Sequence, residues 1–184
     1  MKLRPLPPML SGIVFTAIQV CNGTEYFVQG PCPSCGGILS GYDTRRKRFA
    51  ILRDNSIDTK VEVILHRMYC RSCGRIIVPE EPFYPGTRAG SPVVDLCRSL
   101  AMIMPYSRAA TRLGQMGIEI DRGSVRSYCR TPFTSLPVID AFGMKVPVSI
   151  ISLSSLAGTL GDTEHARGED VLAACSYPSR VKPF

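Results

Sequence analysis

Cys32-Pro33-Ser34-Cys35-Gly36-Gly37 and Cys70-Arg71-Ser72-Cys73-Gly74 are two copies of one pattern, a Cys-x-x-Cys pair followed at once by glycine. Two intervening residues let both sulfurs reach one ion from a single tight turn. The glycine supplies the positive φ that such a turn often needs. With 8 cysteines in 184 residues, chance yields only about 0.3 such pairs, so the duplication carries weight. The two pairs read as halves of one four-thiolate zinc site, with Cys32, Cys35, Cys70 and Cys73 as ligands and Zn2+ as cofactor. The 34 residues between Cys35 and Cys70 exceed the usual spacing, which a long hairpin would absorb because only the two turns must meet. A disulfide pair and thioredoxin-type redox thiols are the alternatives, and neither explains the duplication.

Working outward, Tyr42–Leu52 and Val61–Leu65 are extended, β-branched or basic segments, separated by a turn cluster at Asp54-Asn55-Ser56. Ile76-Ile77-Val78 leaves the second turn as a short strand that Pro79 ends. Together these predict a zinc ribbon over residues 30–80, a module too small to build much core, in which metal binding supplies most of the folding free energy. His66 lies four residues before Cys70 and is read as a surface residue, since four cysteines already complete the site. Upstream, residues 1–29 are read as a strand segment, with Ile13–Val20 and Tyr26–Val28 joined by an Asn22-Gly23 turn. Residues 5–24 carry no charge and follow Lys2 and Arg4, as in a secretory leader. Three prolines and the lack of an Ala-x-Ala-like cleavage site argue against export, and a four-thiolate site suits a reducing, cytoplasmic compartment.

Downstream, a Pro/Gly-rich linker at 80–90 precedes a change of period from two to 3.6. Ser91-Pro92 opens a helix whose Val93, Leu96, Cys97 and Leu100 share one face, and Pro105 ends it. Ser107 caps a second helix, Gly114–Gly117 breaks it, and Asp121 caps a third. In the third, Val125, Tyr128 and Cys129 face inward, while Arg122, Arg126 and Arg130 recur every four residues beside Ser124 and Ser127. Residues 91–131 therefore predict a three-helix, helix-turn-helix unit. The fold class expected is α+β, with an irregular tail over 132–184.

The chain has 45% hydrophobic residues, mean hydropathy of +0.08 and net charge +7, as expected of a folded soluble protein. Residues 45–75 hold nine Lys/Arg against three acids, residues 88–130 seven against three, and residues 131–184 four against five. Positive charge thus lies on the cysteine-rich segment and the helices, where a polyanion would bind. The residues expected to meet double-stranded DNA are Arg45, Arg46, Lys47 and Arg48 on the hairpin, with Arg122, Ser124, Arg126, Ser127 and Arg130 on the third helix. The uncharged run 146–161 is too short and too polar to span a membrane. Cys21, Cys97, Cys129 and Cys175 lack ligand spacing, and the two in predicted helices belong to the core.

The order of parts over residues 30–131, with Cys-Pro-x-Cys-Gly, a basic hairpin, Tyr69-Cys70-Arg71-Ser72-Cys73-Gly74-Arg75 and a helix-turn-helix, resembles the N-terminal, DNA-binding half of insertion-sequence transposases and related short zinc-ribbon proteins. The resemblance implies zinc on the four cysteines and a reading helix over Arg122–Arg130. It stops where catalysis would begin. After Pro132 only 52 residues follow, and four of the five acids among them, Asp162, Glu164, Glu169 and Asp170, crowd into nine residues beyond Asp140. A two-metal strand-transfer site needs carboxylates from separate strands, so no catalytic residue is assigned. His165 is read as a lone loop residue. The reading is a DNA-binding protein without a complete catalytic domain, with homodimerisation left open. A transposase subunit active only with a partner, and a zinc-ribbon adaptor for an assembly such as RNA polymerase, are the rival readings.

Overall fold

A computed structural model describes residues 6–54, 57–130, 136–141, 143–161 and 165–175. The class is α+β, as expected. Its frame is a hairpin of β2 (Leu39–Asp54) and β3 (Ile57–Cys70), paired antiparallel along their whole length. On the other side of β3 lie β1 (Glu25–Phe27), which is parallel to it, and β4 (Ile76–Ile77). The Asp54-Asn55-Ser56 turn expected at the tip has Asn55 and Ser56 outside the described residues.

The far half of the hairpin is apolar on one face. Val61, Val63 and Leu65 alternate with outward residues and are buried, as are Ala50 and Leu52 opposite them. A register shift between Arg48 and Ala50 inserts Phe49, so two consecutive side chains are buried where strict alternation would bury one. Phe49 is fully buried, edge-on to Phe83 at 5.7 Å between ring centroids.

Against this face pack the helices. α2 (Ser91–Ala101), α3 (Tyr106–Gln115) and α4 (Arg122–Arg130) contact one another and contribute Val93, Leu96, Leu100, Leu113 and Val125 to the core. α2 begins at Ser91 itself, capped by Gly90, and α3 at Tyr106, capped by Pro105, so the caps fall one and two residues earlier than expected. Asp121 does cap α4, accepting the Ser124 amide at 2.9 Å. Residue 131, the expected end of the three-helix unit, lies outside the described residues. The stretch before α4 docks on the edge of β2: Arg53 N–H donates to Gly117 O at 2.7 Å and Glu119 N–H to Ile51 O at 2.9 Å.

Three expectations are corrected. The ribbon is not a separate small module, because buried residues of β2 and β3 share one core cluster with those of α2, α3 and α4. The upstream strand is a helix, α1 (Pro8–Gln19), whose Leu10, Val14, Ala17 and Ile18 are buried at helical spacing; β-branched Ile13 and Val14 masked that period. Asn22-Gly23 then joins α1 to β1 rather than two strands. The tail is not irregular. β5 (Val138–Ala141) and β6 (Met144–Pro147) form a hairpin, α5 (Val148–Thr159) packs on α1, and α6 (Gly168–Ala174) packs on α5 and β1. Pro147 divides the uncharged run 146–161, ending β6 and leading into α5. Among the described residues no helix is long and apolar enough to cross a membrane.

Two predictions follow from the core. A Cβ on Gly90 would lie 2.1–2.4 Å from the Phe49 ring, which has nowhere to move. Gly90→Ala should lower stability by about 1–3 kcal/mol in urea unfolding. Asp95 on α2 is buried, accepting hydrogen bonds from Tyr84 Oη at 2.8 Å and Ser149 Oγ at 3.3 Å. Desolvation pushes its carboxyl up to about 6, against the pull of those two hydroxyls and Arg98. Between an unfolded value of about 3.9 and this one, the native state keeps a proton that the unfolded chain has lost, so stability falls as pH rises through that window. Asp95→Asn has no such proton. Relative to the parent, it should gain roughly 2–3 kcal/mol between pH 4 and pH 7, read from urea midpoints at each pH.

Candidate metal centre and basic surface

The register of the sheet brings the two cysteine turns together. β1 and β3 run parallel with Phe27 beside His66; Cys32 lies five residues past the first and Cys70 four past the second. Both strands therefore deliver their turns to the same end of the sheet. On the other side of β3, Leu39 pairs with Cys70, so the exit of the first turn abuts the start of the second. The 34-residue gap is taken up by the hairpin.

The turns are built alike. Gly36 N–H donates to Cys32 O at 2.8 Å and Gly74 N–H to Cys70 O at 2.9 Å; the glycines have φ of +70° and +69°. Any other residue would be strained there. The four sulfurs all lie within 4.8 Å of one another, with Cys32–Cys73 at 3.8 Å and Cys35–Cys70 at 3.5 Å. A tetrahedron of thiolates about 2.3 Å from a central ion has edges of about 3.8 Å, which these separations match. A disulfide, at about 2.05 Å, does not fit, and all eight cysteines are free. The donor set therefore suits a soft or borderline divalent cation.

Backbone amides prepare the sulfurs for ionisation. The Cys73 amide, followed by that of Ser72, draws the Cys70 thiol down to about 6, against its own desolvation. The Ser34 and Cys35 amides similarly outweigh desolvation and lower Cys32. At Cys35 the Gly37 amide also lowers the thiol, but the Cys70 and Cys73 sulfurs override it and push the group up to about 12. Thiolates so close repel one another, and a cation among them offsets that repulsion. His66 is not part of the cluster. It meets Glu25 at 2.9 Å and stacks on Phe27 with centroids 4.3 Å apart.

The expected DNA-contacting residues are distributed unevenly. Strand alternation splits the run Arg45–Arg48. Lys47 shares a face with Val63, where its Nζ lies 2.7 Å from Glu81 and 3.8 Å from the Phe83 ring centroid. That charge is already satisfied. Arg45 reaches Asp43 only at 3.9 Å and Arg46 reaches Glu62 only at 4.0 Å, both from exposed positions. Arg48 is exposed on the outer face opposite Glu62. On α4, Arg122, Arg126 and Arg130 are exposed, with no ion-pair partner among the described residues, and Ser127 is exposed beside them. Ser124 Oγ is turned back to Asp121 Oδ2 at 2.6 Å.

Two participants escaped the sequence reading. Arg88, in the linker, joins Arg48 at a cleft between β2 and α4 whose far wall carries Ser124 and Tyr128. Lys60 lies in an adjoining recess that Arg48 and Arg88 also line. Nothing in the sequence around Arg88 marks it, since its place depends on how residues 82–90 dock Phe83 and Gly90 against Phe49. Of the tail acids, Asp140 pairs with Lys145 at 3.0 Å, and Glu169 and Asp170 pair with Arg167. Asp162 and Glu164 lie outside the described residues. The chain matches no protein-family model, no curated protein and no solved structure.

The sulfur cluster shares no member with the apolar core, so the two should separate on metal removal. The purified chain should carry one divalent ion, read by elemental analysis and by thiolate-to-metal charge-transfer bands after cobalt exchange. Chelation or Cys70→Ser should abolish those bands while the helical circular dichroism and cooperative melting persist. Complete unfolding on chelation would show that the core cannot stand without the ion.

Proposed function

We propose that the protein holds one structural Zn2+ on Cys32, Cys35, Cys70 and Cys73 and binds double-stranded DNA through α4 and the adjoining outer face of β2. Zinc is favoured by the all-sulfur, tetrahedral donor set, since hard cations prefer oxygen. The carrying observation for DNA is the placement of cations on both flanks of α4. At 100° per residue, Arg126 lies roughly 200° around the helix from Ser124. Ser124 faces the cleft that Arg48 and Arg88 line, while Arg122 and Arg126 occupy the other flank. A helix entering a major groove about 12 Å wide meets a phosphate strand on each side, and this distribution answers both. The three mutually packed helices, with α4 last and most exposed, agree with a helix-turn-helix reading. The kinship with the DNA-binding half of transposases stays part of this proposal.

A second reading has its own support at the metal end. Ile38, Ile76 and Val78 are exposed there, Ile38 at 79%, as a protein-docking adaptor would require. Among the described residues of the tail, Asp140, Glu169 and Asp170 sit in exposed ion pairs, which does not favour strand transfer.

Binding should weaken steeply with salt, because each neutralised phosphate adds about 0.9 to the slope of log affinity against log salt. Arg122→Gln combined with Arg126→Gln should lower that slope by about 2 and weaken binding to all sequences alike. Fluorescence anisotropy on a labelled duplex between 50 and 200 mM salt reads both. Salt-independent binding, or binding indifferent to the double substitution, would remove α4 from the interface.

A further inference from the structure

The cleft between β2 and α4 has more than charge. It encloses about 350 Å³, at the lower end of the roughly 300–1,000 Å³ typical of small-molecule sites. Its lining is mixed, with the half-buried Ile51 and Ile120 over the buried Ile118, beside Arg48 and Arg88. Both arginines are exposed, and neither has an ion-pair partner among the described residues. They also line the neighbouring recess of about 360 Å³ that contains Lys60, so the cations stand where the two hollows join. Tyr128 of α4 and Arg88 and Ala89 of the linker share this lining, so the cleft spans both elements. Three acids line the two hollows: Asp121 accepts from the Ser124 amide and hydroxyl, Glu119 pairs with Arg53 at 2.9 Å, and Glu62, opposite Arg48 on β3, lies 4.0 Å from Arg46. A plain phosphate-binding surface has no need of apolar side chains in a concave lining. A plain apolar pocket has no need of two guanidinium groups at its wall.

We propose that this cleft binds a single nucleotide unit, with its phosphate on Arg48 and Arg88 and its base against Ile51 and Ile120. Guanidinium groups match phosphate oxygens in geometry and charge, and a flat base removed from a stack recovers apolar contact on such side chains. The unit has two sources with the same chemistry, an unstacked base in bound DNA or a free nucleotide. The inference rests on the nucleic-acid reading for the first source only.

Calorimetric titration of the full chain with deoxyadenosine monophosphate tests it, with deoxyadenosine and inorganic phosphate as the two halves of the probe. The nucleotide should bind about tenfold more tightly than either half. Arg48→Gln and Arg88→Gln should each cost about tenfold, with unchanged circular dichroism and melting, since both side chains are exposed. No nucleotide binding, or binding that survives both substitutions, overturns the site. A parallel titration with a perfect duplex and one carrying a single extrahelical adenine separates the sources. Preference for the bulged duplex by about tenfold, lost in Arg88→Gln, assigns the cleft to DNA, and equal affinity alongside nucleotide binding assigns it to a free nucleotide. Salt-sensitive duplex binding without nucleotide binding refutes the cleft and leaves the DNA reading standing; nucleotide binding without duplex binding does the reverse.

Discussion

Burial of Phe49 holds this molecule together. One register shift in β2 turns that ring out of the strand's alternation and into the gap left by Gly90, edge-on to Phe83. The contact ties the hairpin to the linker and the linker to α2, and Gly90 N–H donates to Phe49 O at 2.8 Å along the same seam. A hairpin that would otherwise be a thin two-stranded ribbon becomes the wall of a core completed by α1, α2, α3 and α5. Packing of this kind tolerates neither a missing ring nor an added methyl group, because interiors are filled to the density of organic crystals.

The same hairpin therefore has two ends governed by different physics. At the far end, apolar area removed from water supplies the stabilisation. At the near end there is no comparable core: Cys35, Cys73, Ile38 and Tyr69 are exposed, and order there depends on short backbone hydrogen bonds and on the sulfur cluster. A cation at that end acts on the geometry of the tip, its arginines and its exposed apolar residues, more than on the fold as a whole.

The basic surface also takes its form from the core. Lys47 is drawn to Phe83 and Glu81 because it shares a strand face with buried Val63, while Arg48, one residue on, is turned to the outside. The docking of residues 117–119 on the edge of β2 sets α4 beside Arg48, and the linker brings Arg88 into the same cleft. Charges far apart in the chain become neighbours because the apolar residues between them are packed. The cleft is thus a by-product of the same contacts that bury Phe49 and Ile118.

Local patterns in the sequence were enough to establish the two cysteine turns, the hairpin between them, the three helices with α4's Asp121 cap, and the exposed arginine row on α4. Each of these depends on spacing within a few residues, where backbone geometry dictates the outcome. The same local patterns misread α1, whose β-branched residues suit a strand as well as a helix, and the tail, where Pro147 joins a strand to a helix in one apolar run. Only the tertiary structure decided that hairpin and helices share a core, that Lys47 is spent on an ion pair, that Asp95 is buried, and that Arg88 meets Arg48. Those outcomes follow from side chains meeting across long stretches of chain, and no short-range pattern records which surfaces will be pressed together.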